Sequence, residues 1–189
     1  MDILIVEDEI LLGLLLADAL TDVGHRVMGP ASCRAEALGL LGERAPHLAF
    51  VDIELRGGES GIELAAELQR QGVPCIFATG QPGRAREHRA VALGLVPKPY
   101  NPLTILEVAR YFEALSAGQR PAHAPRGLEL FGADASAVSF GLVDTPVAAV
   151  TLCATLQPPV VAPSAAAAGT RAQTDQRLGD SGVLEALTA

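Results

Sequence analysis

The chain has 189 residues and a formal charge of −8 at pH 7, long enough for one domain with a real core plus an additional segment. So acidic a chain offers no basic stripe to neutralise phosphates, and a nucleic-acid-binding surface is not expected. No apolar run is long enough to span a bilayer, and the amino terminus carries acids where a signal peptide carries basic residues, so the expected location is the cytoplasm.

Residues 3–6 read as a buried strand that the carboxylates Glu7-Asp8-Glu9 bring to an end. Residues 10–23 predict a helix with leucines on more than one face, stopped by Gly24. Residues 25–30 follow as a short second strand. Ser32 is the predicted N-cap of a helix over 33–44, which Pro46 closes off. Then comes His47-Leu48-Ala49-Phe50-Val51-Asp52, an apolar run that reads as a strand buried on both faces. An aspartate at its carboxyl end stands at the mouth of the sheet, where open α/β folds place their ligands.

After the glycine-rich loop Arg56-Gly57-Gly58-Glu59, the spacing Ser60-Gly61-Ile62-Glu63 predicts a capping box and a helix to about Gln71. Val73-Pro74-Cys75-Ile76-Phe77-Ala78-Thr79 is a fourth strand, ended by Gly80-Gln81-Pro82-Gly83. Residues 84–93 predict an arginine-rich helix, 95–97 a very short fifth strand, and 102–116 an amphipathic helix with proline at its start. Five strands alternating with five helices predict an α/β fold, a doubly wound five-stranded parallel sheet covered on both faces. From about Ala117 proline, alanine, glycine and serine dominate, and residues 118–189 are expected to be a mostly disordered, low-complexity tail. Within it, 147–156 is apolar and β-prone and 183–189 has a short helical pattern, neither with a partner element; nothing in the tail resembles a helix-turn-helix.

Glu7 and Asp8 end the first strand and Asp52 ends the third. These strands are neighbours in a doubly wound sheet, so three carboxylates converge. Like charges that close cost stability unless a cation sits between them, and few oxygen ligands with room for water suit Mg²⁺. A divalent metal beside a carboxylate is a phosphoryl-accepting arrangement, with the aspartate as oxygen nucleophile. Of the 14 basic residues 13 are arginine, and the sole lysine, Lys98, brings a point charge from another strand end. Thr79 offers a hydroxyl to a phosphoryl oxygen.

Each residue alone has a blander reading. A triple acid is more often a solvated turn, Lys98 a surface charge, and Thr79 a cap for the turn at Gly80. Their joint order favours the chemical reading. Arg84, Arg86 and Arg89 suit a docking face or a merely solvated one. Cys33, Cys75 and Cys153, odd in number and not at metal spacing, read as small hydrophobes in a reducing compartment, and His25, His47, His88 and His123 as structural or exposed.

Ile3-Leu4-Ile5-Val6-Glu7-Asp8-Glu9, Val51-Asp52, Ala78-Thr79-Gly80 and Lys98-Pro99 together resemble the receiver domain of two-component response regulators, over residues 1–117. The resemblance implies a CheY-like, flavodoxin-like strand order 2-1-3-4-5, a receiver being the known example of that order. It implies phosphorylation of Asp52 by a histidine kinase or phosphotransfer protein, assisted by Thr79 and Lys98. Mg²⁺ would be held by Asp8, Asp52 and the backbone carbonyl of Glu54, with Glu7 acting through water. A cis peptide at Lys98-Pro99 would aim the lysine inward. Signalling to a downstream protein partner or service as a phosphate sink follows, as does a homodimer through the last two helices; such a domain is not an enzyme in the ordinary sense.

Pro74-Cys75-Ile76-Phe77-Ala78-Thr79-Gly80 is similar to the FAT GUY subgroup of mostly single-domain receivers. The chain departs from the family at Leu95, where most receivers carry Tyr or Phe as a switch, with Tyr100 instead after the lysine. It departs from the subgroup at Gln81 and at Cys75. The alternative function is a pseudo-receiver that binds a partner through the 84–111 face or the tail without phosphorylation. A dehalogenase-like phosphatase would need Asp-x-Asp at the first strand end, and a flavodoxin-like carrier a Ser/Thr-rich phosphate loop; neither is present.

Overall fold

A computed structural model describes residues 1–42 and 44–132 of the chain. Strands and helices alternate: β1 (Asp2–Val6), α1 (Ile10–Asp22), β2 (Arg26–Ala31), α2 (Arg34–Gly39), β3 (Leu48–Val51), α3 (Gly61–Arg70), β4 (Cys75–Thr79), α4 (Pro82–Glu87), β5 (Gly94–Pro97) and α5 (Pro102–Ser116). A two-residue strand, β6 (Glu129–Leu130), follows. The sheet order is β2-β1-β3-β4-β5-β6; the first five strands run parallel and β6 pairs antiparallel with β5. No helix among the described residues is long and apolar enough to cross a membrane.

The central strands are apolar at every position because both of their faces are covered. Leu4, Val6, Ala49, Val51, Cys75, Phe77 and Leu95 pack with Ile62, Leu64, Ala65 and Leu68 of α3. Their alternating neighbours Ile3, Ile5, Leu48, Phe50, Ile76, Ala78 and Val96 pack on the other face with Leu16 and Leu20 of α1 and Ile105, Val108, Ala109 and Phe112 of α5. Phe50, Phe77 and Phe112 are fully buried, each worth about 1.5–3 kcal/mol in apolar transfer. The leucines on several faces of α1 have a visible consequence: Ile10, Leu11, Leu14 and Leu15 remain exposed.

Five local expectations are corrected. The helix expected over 33–44 ends at Gly39, because Gly39 and Gly42 fall inside that span and glycine loses the most backbone entropy there. Its N-cap is Cys33; Ser32 instead donates its N–H and hydroxyl to Glu36 Oε2 at 2.8 and 2.7 Å. The helix expected over 84–93 begins earlier, at Pro82, and breaks after Glu87 into a 3₁₀ turn, Arg89–Val91, because Leu93 must reach the Cys75 carbonyl (2.8 Å) as the chain enters β5. Ser60 is the N-cap of α3, but its side chain makes no capping bond. Finally, residues expected in the tail add β6 to the sheet edge, with Leu128, Leu130 and Phe131 packed against the core clusters. The readings placed on 147–156, on 183–189 and on Cys153 lie outside the described residues.

Candidate functional site

The parallel register Val6↔Val51 sets the ends of β1 and β3 side by side, so Glu7 and Asp52 emerge together at the carboxyl edge. Both are almost wholly buried, whereas Asp8 is exposed. Oxygens of Glu7, Asp8 and Asp52 lie within 4.8 Å of one another. Lys98 leaves β5 through a cis Lys98–Pro99 peptide, and its own N–H donates to the Thr79 carbonyl at 2.8 Å. Its Nζ reaches across to Asp52 Oδ2 at 2.7 Å and to Glu7 Oε1 and Oε2 at 2.8 and 2.7 Å.

Burial pushes the Glu7 carboxyl above the usual carboxylate range, and the hydrogen bond and charge of Lys98 only partly offset this. For Lys98 the balance tips the other way. Burial pulls the ammonium down, but hydrogen bonds to Asp52 and Glu7, with their charges, leave it above the ordinary lysine value. One protonated lysine therefore serves a nest of three acids. Three carboxylates at this separation form a hard-oxygen set that fits a small divalent cation, with Asp8 on the open side.

Thr79, fully buried at the end of β4, accepts the Gln81 N–H on Oγ1 at 3.1 Å. Glu54 lies just past the end of β3: its N–H donates to Asp52 Oδ1 at 3.4 Å, and it forms a bridge with Ser60. All six predicted residues, Glu7, Asp8, Asp52, Glu54, Thr79 and Lys98, thus stand at this one end of the sheet.

Two residues were missed as parts of the site. Gly61 donates its N–H to the Ile53 carbonyl at 2.8 Å, and a Cβ there would lie 1.8 Å from the Asp52 carbonyl oxygen. Only glycine lets α3 start this close behind the acidic strand end. Its place after Gly57-Gly58 was the available signal, and the capping-box spacing hid it. Tyr100 buries its hydroxyl without a hydrogen-bond partner; burial first, then the charges of Glu7, Asp52 and Glu9, push its phenol well above the usual tyrosine range. With Glu9, Leu12, Lys98 and Pro99 it lines a cleft of about 400 Å³ beside the acids.

Comparisons with known proteins bear on this geometry. A family described as response regulator receiver domain matches residues 3–110. Phyllosphere-induced regulator PhyR of Methylorubrum extorquens is 36% identical over 128 residues, 65% of this chain and 48% of that protein. The chain therefore spans about half the length of the curated relative it matches. Among solved structures, the PhyR response regulator REC domain of Erythrobacter litoralis is 31% identical, with a TM-score of 0.52 over 65% of this chain and 95% of that one. The receiver domain of NtrX from Brucella abortus is 30% identical, with a TM-score of 0.52 over 59% and 97%.

Proposed function

The chain belongs to the response regulator receiver domain family, and on that footing we propose that it is a phosphorylation switch with Asp52 as the acceptor. Glu7, Asp8, Asp52 and the Glu54 carbonyl would hold Mg²⁺, which when bound neutralises the oxygens of the incoming phosphoryl group. Asp52 supplies the nucleophilic carboxylate oxygen. The phosphorus–nitrogen bond of a phosphohistidine breaks as the new oxygen–phosphorus bond forms, and the electron pair stays with the imidazole. Lys98 stays protonated, holds Asp52 in place and meets one phosphoryl oxygen with its charge. Thr79 donates its hydroxyl to another.

The observation that carries this reading is the double contact of Lys98 Nζ with Asp52 and Glu7 at 2.7–2.8 Å, from strands far apart in sequence. The donor is a histidine kinase or phosphotransfer protein. A helix bearing the phosphohistidine finds an apolar strip of exposed Ile10, Leu11, Leu14 and Leu15 on α1, starting directly beside the acids. Among the described residues, four of the large exposed hydrophobics lie on this strip, against Leu103 on α5, with Val23 and Leu40 at the ends of α1 and α2; this favours α1 over the last two helices as a contact surface. The output is a downstream protein partner or drainage of the kinase.

A second reading, partner binding without phosphorylation, draws support from Leu95, fully buried where the family's switch aromatic is expected. Incubation with Mg²⁺ and acetyl phosphate, read by intact mass, separates the two. One phosphoryl group per chain, absent in Asp52→Ala, supports the switch. No adduct with acetyl phosphate or phosphoramidate, together with no response to beryllofluoride, sinks it in favour of the second reading. Asp8→Asn is expected to weaken Mg²⁺ binding about tenfold, the equivalent of one lost charge-assisted contact.

A further inference from the structure

If the chain stopped after α5, β5 would be a free sheet edge. Residues 129–131 close it. Glu129 and Leu130 pair antiparallel with Leu95 and Gly94, and Phe131 donates its N–H to the Leu93 carbonyl at 2.9 Å. Gly94 permits the approach, since a Cβ there would lie 2.4 Å from the Glu129 carbonyl oxygen. The same strand is pinned from α4: Arg86 Nε and Nη2 donate to the two Glu129 carboxylate oxygens, each at 2.8 Å.

That fork is also tied to the acidic site. Gln81, the N-cap of the six-residue α4, donates its N–H to Thr79 Oγ1 at 3.1 Å, and its side-chain oxygen accepts from Arg84 at 2.9 Å. Hydrogen bonds at Thr79–Gln81 and at Arg86–Glu129 thus hold the two ends of α4, one at the mouth of the sheet and one at its edge. Glu129 lies opposite Leu95, the position whose aromatic switch is missing.

We propose that β6 is a strap that reads the state of Asp52 through α4, taking the place of the absent aromatic switch. The inference rests on the reading of Asp52 as a phosphoryl acceptor. A phosphoryl oxygen recruits the Thr79 hydroxyl as donor. Rotating the Thr79 side chain to reach that oxygen carries Oγ1 away from the Gln81 N–H and shifts the short α4 as a unit. A bidentate guanidinium–carboxylate fork demands fixed geometry, so the shift opens Arg86–Glu129 and β6 leaves β5.

The test is hydrogen–deuterium exchange, read by mass spectrometry on the full chain with Mg²⁺, with and without beryllofluoride. In the wild type, beryllofluoride is expected to slow exchange in peptides spanning 50–54 and 77–81 and to speed it about tenfold in 128–132; Asp52→Ala abolishes both changes. Glu129→Gln and Arg86→Gln are each expected to loosen 128–132 without beryllofluoride. By linkage they bind beryllofluoride about fivefold more tightly. Cooperative thermal unfolding of both variants establishes that they fold, and either one alone suffices for the comparison. Protection around Asp52 with unchanged or slowed exchange in 128–132 overturns the strap and leaves the acceptor reading standing. No protection at Asp52 and no adduct with acetyl phosphate overturns both.

Discussion

Two ion-pair sites in this molecule have nearly the same bond lengths and opposite surroundings. Lys98 meets Glu7 and Asp52 at 2.7–2.8 Å, with side-chain exposures of 21%, 2% and 9%. Arg86 meets Glu129 at 2.8 Å, with exposures of 53% and 44%. Distance alone would rank them equal. Burial separates them: charges taken from water are costly and their partners indispensable, whereas an exposed pair is screened and gains little over its two hydrated halves. The first pair is therefore suited to holding charge in place for chemistry. The second is suited to being made and broken.

The sharpest way to break the comparison is Lys98→Met. It strands Glu7 and Asp52 against each other and is expected to cost about 2–3 kcal/mol in urea unfolding at pH 7. This is less than the ~3–5 kcal/mol of a fully buried pair, because the lysine is 21% exposed. The sign with pH follows from Glu7, whose folded value is raised. The stability tied to such a group is fully present below its unfolded value and is lost as pH rises through the folded one. The deficit of the variant should therefore shrink on going from pH 7 to pH 5, and Mg²⁺ should shrink it at pH 7. A loss that ignores both pH and Mg²⁺ would mean the lysine matters only as packing.

Gly61→Ala comes next. A methyl 1.8 Å from the Asp52 carbonyl forces α3 or the end of β3 to move, at about 1–3 kcal/mol. Phosphoryl acceptance is expected to fall with it. At the exposed site, Glu129→Gln should leave the unfolding midpoint close to that of the wild type, and the small difference should vanish in 1 M salt, where the screening length is about 3 Å.

The smallest effect concerns His25, buried with its Nε2 unpartnered and its Nδ1 3.3 Å from the Met1 amino nitrogen. Burial, then the amino-terminal charge, hold its imidazole below the ordinary value. The stability it contributes is present above the unfolded histidine value and is lost as pH falls through the lower folded one. His25→Gln should flatten that part of the acid limb of the stability curve. An unchanged acid limb would show that the neutral imidazole adds nothing.

The two sites also differ in how far they could be read ahead. The buried one was legible because each of its residues ends an apolar run: Glu7 after Ile3-Leu4-Ile5-Val6, Asp52 after Leu48-Ala49-Phe50-Val51, Thr79 after Cys75-Ile76-Phe77-Ala78. Strand ends of a doubly wound sheet share one edge, so order in sequence became proximity in space. The exposed one was not legible. Glu129–Leu130 is too short for any periodicity, and what makes it a strand is the unpaired edge of β5, a tertiary fact. The capping box at Ser60 failed for a related reason: the start of α3 is fixed by Gly61 against Asp52, and the serine hydroxyl does not decide it. Tyr100 was visible but unassigned, because its burial beside the acids depends on how the chain turns after Pro99.

Lys98 is the only lysine in the chain, which confines amine chemistry among the described residues to two nitrogens. Nζ is held between Glu7 and Asp52, and the Met1 amino group sits 3.3 Å from His25 Nδ1 and 3.6 Å from Glu113 Oε1. An acylating reagent therefore meets no freely exposed amine on this surface. The mass gained on the peptide that carries Lys98, separated from any gain at Met1, becomes a gauge of how often the mouth of the sheet lets its lysine go.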